Sequence, residues 1–409
     1  MKKKKRKPNI PNIVLTLVSI AFLLIIVFMF NYNISEDVLP KNQFQSSNDN
    51  ADTNVIVELE NAKDITIKMA VVGDIMCHNT QYQDAYNKSS DSYDFSHVFS
   101  NVASNLRNAN ITVGNLETTF AGKDRGYSGY PTFNTPDELA TNLKELGFDV
   151  LSTSNNHSLD KGYNGIVRTI ETLDNVGISH MGTYSSEEAS KEILIKDVNG
   201  IKIAFLAYTY GTNGIPIPSE KDYCINLIDK EKIKSDISKA KSLGVDIVAI
   251  NMHWGEEYRL KPTTEQKQLA DFLFENGADL ILGSHAHVLE PMETREITLE
   301  DGTKKQGFLI YSLGNFISGQ VKQYTNHAII LNLTITKHSE GNITIDDVSY
   351  IPTYVDNRGG QATERFKILN IDKSIESYEN KTDSSISATL YNNLKKAREA
   401  TTKILRGEI

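Results

Sequence analysis

From residue 65 to about residue 351 the chain alternates between strand-like and helix-like patterns. Short apolar runs that end in polar residues predict strands at 65–76, 110–116, 149–154, 246–253 and 278–282. Between them lie helical signals. Thr135-Pro136-Asp137-Glu138 reads as a capping box with Pro at the first helical position, opening a helix that ends at Gly147. Further helices are predicted at 166–176, closed by Gly177, at 230–243 and at 264–275. Two hairpins are expected. Residues 193–198 and 201–210 flank Asn199-Gly200, a type I′ turn signal, and 295–299 and 308–312 flank Asp301-Gly302. Strands follow at 328–336 and 343–351, and Ile386, Leu390 and Leu394, spaced by four, predict an amphipathic carboxyl-terminal helix. Alternating units with added hairpins imply an α/β fold with mixed sheets.

The amino terminus follows a different pattern. Six basic residues, Lys2 to Lys7, precede an apolar run at 13–30 broken only by Thr16 and Ser19. Eighteen helical residues span about 27 Å, close to the ~30 Å of a bilayer's hydrocarbon core. The basic flank places residues 1–12 in the cytoplasm and everything after residue 30 outside. The expectation is a single-pass, uncleaved signal anchor in the cell membrane; the alternative is a cleaved signal peptide, although no A-x-A site follows the run. Residues 31–64 are rich in Asn, Asp, Ser and Gln and read as a flexible tether.

Charge sharpens this picture. The net charge is −9, but the 43 basic residues fall to 37 once the six leading ones are set aside, against 52 acidic. Such an acidic domain argues against nucleic acid as a partner. The two cysteines, Cys77 and Cys224, are too few for a disulfide framework, and Cys77 reads as a small buried hydrophobe more readily than as a metal ligand.

The chemistry gathers where the strands end. The five predicted strands finish in Gly73-Asp74-Ile75-Met76, Gly114-Asn115-Leu116-Glu117, Asn155-Asn156-His157-Ser158-Leu159-Asp160, Asn251-Met252-His253-Trp254-Gly255 and Gly283-Ser284-His285-Ala286-His287. Strand carboxyl ends border the ligand crevice of an α/β sheet, so these residues are expected to converge. Carboxylate, amide oxygen and imidazole together suit Mn, Fe, Zn or Co, and fit neither an all-oxygen calcium site nor an all-thiolate zinc site. Blander readings stand beside several of these residues. Paired histidines can be structural, Asp160 can cap a helix, Glu256 and Glu257 can be a solvated loop pair, and Trp254 can be ordinary packing.

The ordered motifs G-D-I-M, N-L-E, N-N-H-S-L-D-K-G, H-W-G-E-E-Y, H-A-H and L-G-N-F, from about Met69 to Phe316, resemble those of the calcineurin-like metallophosphatases, and most closely their CapA poly-γ-glutamate capsule branch. The resemblance implies an α/β/β/α sandwich over residues 65–355, with 356–409 as a carboxyl-terminal extension. It implies two divalent metals: Asp74 and His287 on one, Asn156, His253 and His285 on the other, and Glu117 at or near the bridging position. His157 would stand near the leaving group with Asp160 fixing its tautomer, and Glu257 and Asn315 could contact substrate. Two departures are visible. Met76 stands where the wider superfamily has a ligand histidine, with His78 a possible substitute but expected to face solvent; Glu117 is longer than the usual Asp. The implied role is in making, exporting or anchoring an anionic surface polymer such as poly-γ-glutamate, beside membrane-bound synthase subunits. Three readings stay open: a metal-dependent hydrolase of phosphoester or γ-glutamyl amide bonds in capsule polymer synthesis, a general metallophosphoesterase, and a metal-dependent polymer-binding scaffold without turnover.

Overall fold

The computed structural model describes residues 63–298, 302, 304–360 and 364–409. The expected basic segment 1–12, the membrane span 13–30, all but the last two residues of the tether and the turn residue Asp301 lie outside the described residues. Among the described residues no helix is long and apolar enough to cross a membrane.

Two mixed sheets account for most of the strands. The first contains β1 (Ile65–Ile75), β4 (Ile111–Leu116), β5 (Val150–Ser152), β6 (Ser179–Met181), β13 (Asn315–Ile317), β14 (His327–Lys337), β15 (Ile343–Asn357) and β16 (Phe366–Asn370). Its order is β16-β15-β14-β1-β4-β5-β6, and β13 pairs in parallel with the end of β1. The second contains β7 (Leu194–Val198), β8 (Ile201–Thr209), β9 (Ile247–His253), β10 (Leu280–Ser284), β11 (Met292–Thr298) and β12 (Lys304–Ile310), in the order β11-β12-β10-β9-β8-β7. A small hairpin of β2 (Tyr86–Asn87) and β3 (Ser92–Tyr93) stands apart. Each sheet has a parallel centre, β1-β4-β5-β6 in one and β12-β10-β9-β8 in the other, with antiparallel strands added at the edge.

The layering follows from the two-residue period of strands whose faces are both apolar. Along β1, Ile67, Met69 and Val71 turn toward the second sheet, while Ala70 and Val72 turn outward. Along β8, Ile201, Ile203 and Phe205 face inward, and Ala204, Leu206 and Tyr208 face outward. Phe99, Leu139, Leu143 and Leu173 cover the outer face of the first sheet; Ile233 and Ile237 of helix Lys230–Ser242, with Leu273 of helix Thr264–Asn276, cover the second. The layers therefore run helix, sheet, sheet, helix. The carboxyl-terminal helix Ala388–Leu405 contributes Ile404 and Leu405 to the core between the sheets, and β16 extends the first sheet.

The Asn199-Gly200 turn forms as expected, with φ of 54° and 95° at its two residues. The capping box at Thr135 does not form. Thr135 instead meets Thr118 Oγ1 at 2.6 Å and donates its N–H to the Thr119 carbonyl, so the helix starts later, at Glu138. Pairing with a neighbouring segment has taken the threonine that would have capped it.

Two glycines let the strand ends meet. A Cβ on Gly73 would lie 1.9 Å from the Gly314 carbonyl oxygen, and one on Gly283 would lie 1.8 Å from that of Tyr311. Both contacts are with backbone, which cannot yield as a side chain can. Asp74 N–H donates to Gly314 at 2.9 Å across the first of these approaches. Each glycine lies one or two residues before a candidate ligand.

Candidate metal centre

The strand-end residues of both sheets converge. Asp74 sits near the end of β1, Glu117 one residue past β4, His253 at the last residue of β9, and His285 and His287 just past β10. All five are buried, Asp74 and Glu117 completely. Their donor atoms form two sets, Glu117 with His253 and His285, and Asp74 with Glu117 and His287, each within 4.8 Å. Glu117 belongs to both. Its Oε1 lies 3.6 Å from His253 Nε2 and 3.9 Å from His287 Nε2. Asn156 joins the first set, its Oδ1 2.9 Å from His253 Nε2.

The backbone is strained where it presents the two late histidines. His285 and His287 have φ of 92° and 58°, in the left-handed region, and such residues typically cost about 1–3 kcal/mol each. The His285 N–H points at Asp74 Oδ2, 3.3 Å away. His287 Nδ1 lies 3.1 Å from Asn315 Oδ1 and 3.3 Å from Asp74 Oδ2, an arrangement that fixes the ring and leaves Nε2 toward Glu117.

Protonation favours the ligand forms of the imidazoles. Burial, helped by neighbouring imidazoles, holds His285 down at about 3 and His253 well below its ordinary value, so both rings are neutral. Burial and the adjacent Asp74 charge push Glu117 well above the usual carboxylate range. Both Glu117 oxygens and His285 Nδ1 are buried without a hydrogen-bond partner among the described residues. Orphaned carboxylate oxygens facing neutral imidazoles are what a cation site requires, and the donor set fits divalent transition metals.

His157 stands beside Asn156 but in neither donor set. Its Nδ1 lies 2.8 Å from Asp160 Oδ2, and Phe133 packs edge-on to its ring at 4.7 Å. Asp160 does not cap the next helix, whose N-cap is Lys161; it holds His157 and accepts the Phe133 N–H at 2.7 Å.

Other expected residues fall elsewhere. Asn315 does not line a pocket: it is completely buried, with its amide nitrogen donating to Gln320 Oε1 and the Thr325 carbonyl, so it holds His287 from beneath. His78 does not face solvent. It is mostly buried, accepts the Gly319 N–H at 3.1 Å and joins neither donor set. Trp254 packs in the outer core and donates to the Tyr311 carbonyl at 2.9 Å. Glu257 is exposed, next to Tyr258, while Glu256 pairs with Arg259. Cys77 is buried with its thiol pushed up to about 12, as a small core residue would be.

Three further residues belong to the site: Asn115 and Tyr258 lie within the N-L-E and H-W-G-E-E-Y motifs but have no role assigned there, and Tyr210 lies in no motif. Asn115 Nδ2 donates to Asp74 Oδ1 at 2.8 Å and lies 3.3 Å from His253 Nδ1, tying β1 to β9. Tyr210 lies over His285 at 4.5 Å, and Tyr258 sits 5.9 Å from His287. The tyrosines lie beside different histidines of the centre, and no periodicity could have placed them there.

An α/β sandwich with paired donor sets at its strand ends defines a class of candidate metal proteins, and the sequence narrows it. Residues 68–320 match the family described as "Bacterial capsule synthesis protein PGA_cap". The chain belongs to that family. It is 31% identical over 293 residues to the "PGA biosynthesis protein CapA" of Bacillus subtilis, covering 70% of this chain and 72% of that one. It is 30% identical over 275 residues to the "Capsule biosynthesis protein CapA" of Bacillus anthracis, covering 66% of this chain and 64%, just under two thirds, of that one. Among solved structures it is similar to the calcineurin-like phosphoesterase YfkN from Bacillus subtilis, with TM-score 0.42 and 15% identity, over 84% of this chain and 99% of that one.

The sharing of Glu117 can be tested by its loss. A carboxyl raised in the folded state above its ordinary 4.5 costs the metal-free protein stability once the pH exceeds that value. In chelator at pH 7, Glu117→Gln is therefore expected to melt higher than wild type, with the difference closing as the pH falls toward 4.5. Added Mn²⁺ should raise the wild-type midpoint and leave the variant nearly unmoved. Equal stabilisation of both by the metal would remove Glu117 from the site.

Proposed function

We propose that this chain takes part in capsule or poly-γ-glutamate biosynthesis, export or anchoring, as a membrane-anchored protein whose domain lies outside the cell and carries a dinuclear hydrolase-type centre. The observation that carries the reading is the pair of buried donor sets meeting at Glu117, with the His157–Asp160 pair alongside. Family membership supplies the polymer, and the basic flank with its apolar run supplies the anchor.

Asp74, Glu117 and His287 would hold one divalent ion, and Glu117, Asn156, His253 and His285 the other. Such ions supply neutralisation of developing negative charge and a lowered pKa for water. The remaining work falls to the chain. Asp160 keeps the proton of His157 on Nδ1 and stabilises the charged ring, so Nε2 can deliver a proton to a leaving group. Tyr210, Tyr258 and the exposed Glu257 border the mouth and orient what enters. The bond cleaved is a γ-glutamyl amide or a phosphoester in this reading, and polymer-synthase subunits in the membrane are the partners.

Complementation of a deletion strain separates turnover from docking. His157→Gln is expected to keep its metal and fold while losing function, because a general acid contributes about 10²–10⁴-fold. His285→Ala should lose metal and function together. Full complementation by His157→Gln, with its metal in place, would refute the hydrolase reading and leave a metal-dependent scaffold. The topology has its own check: protease added outside intact cells should digest the domain, and protection until lysis would reverse the orientation.

A further inference from the structure

A groove of about 780 Å³ lies beside the metal centre, between the segment 318–327, the end of β15 and the carboxyl-terminal helix. Gln320 and Lys322 form part of one wall, and Lys396 of the helix lies on the other side. The groove begins at the rim of the centre. Gln320 Nε2 donates to the Tyr258 hydroxyl at 3.4 Å, Lys322 Nζ lies 3.5 Å above the Tyr258 ring, and that ring is the one beside His287.

Its lining is poised for negative charge. Among the described residues neither Lys322 nor Lys396 pairs with a carboxylate, although both are exposed. The acid in the lining, Asp356, is already matched by Arg358, with Nε and Oδ2 3.2 Å apart. His327, also in the lining, has a buried Nδ1 without a partner among the described residues. With the six leading residues set aside, acidic residues outnumber basic ones by 52 to 37, so the surface as a whole repels a polyanion. Against that background one groove carries a lysine on each side, neither paired with a carboxylate among the described residues.

We propose that this groove holds an extended segment of a carboxylate-bearing polymer and leads it to the metal centre, with Lys322 meeting its charge at the rim and Lys396 farther along. The inference rests on the reading of the centre as one that acts on an acidic capsule polymer, and it adds where that polymer lies. Lys322 would be a binding residue that sets which chains enter, and Tyr258 the contact between groove and centre.

The test is fluorescence anisotropy of a labelled poly-γ-glutamate oligomer against the full chain in detergent. A Lys322→Gln/Lys396→Gln variant is expected to bind about tenfold more weakly, with a shallower salt dependence and unchanged metal content. A control variant, Lys123→Gln/Lys191→Gln, removes two exposed charges remote from the groove and should bind as wild type. His285→Ala should lose metal yet keep the oligomer. Wild-type affinity in the groove variant, equal weakening in the control, or equally tight binding of neutral dextran would overturn the proposal. The groove and the catalytic reading are probed by different variants, so groove binding can fail while His157→Gln still loses function, and the reverse.

Discussion

Two carboxylates buried side by side set the terms for the rest of this domain. Asp74 and Glu117 are completely buried, and among the described residues no lysine or arginine pairs with either. The adjacent rings of His253 and His285 are held neutral by burial, so they cannot supply the missing positive charge. Desolvating an ion costs several kcal/mol in a real protein, and two like charges in one site raise that further. In the metal-free state the upward shift of Glu117 favours its protonated carboxyl, and a bound cation would balance the pair. The two glycine contacts, the left-handed backbone at His285 and His287 and the amide of Asn115 all serve to keep these groups together.

Much of this was legible in the sequence because the strands are buried on both faces. Runs such as Ile247–His253 are buried throughout, open on four apolar residues and turn polar at Asn251 and His253, which locates both strand and ligand. Two very short strands gave no such signal. β6 and β13 have three residues each, too few to show a period, yet β13 supplies the Asn315 that seats His287. Asn315 was expected to contact substrate through the L-G-N-F motif, with a simple Gly-Asn turn as the alternative; pairing with β1 drew it inside. His78 was expected in solvent because the sequence does not reveal that Gly319 comes round to meet its ring. Asn115 and Tyr258 lay within the recognised motifs without an assigned role, and Tyr210 joins the site through tertiary packing alone.

The division of labour in the fold is consistent with this. The parallel centres of both sheets deliver ligands to one end, while the antiparallel additions build outward from them. Residues 366–409 complete the first sheet and place a helix against the segment that also reaches Tyr258. That segment touches the rim of the centre through Gln320 and Lys322 at Tyr258, and the carboxyl-terminal helix lines the groove it shares with them.

The central claim is that Glu117 joins two cation sites. Anomalous scattering at the manganese edge, from crystals of the full chain grown with Mn²⁺, tests it most directly. Two peaks are predicted, both bonded to Glu117, one also to Asp74 and His287 and the other to Asn156, His253 and His285. A single ion, or ions that do not touch Glu117, would contradict the account.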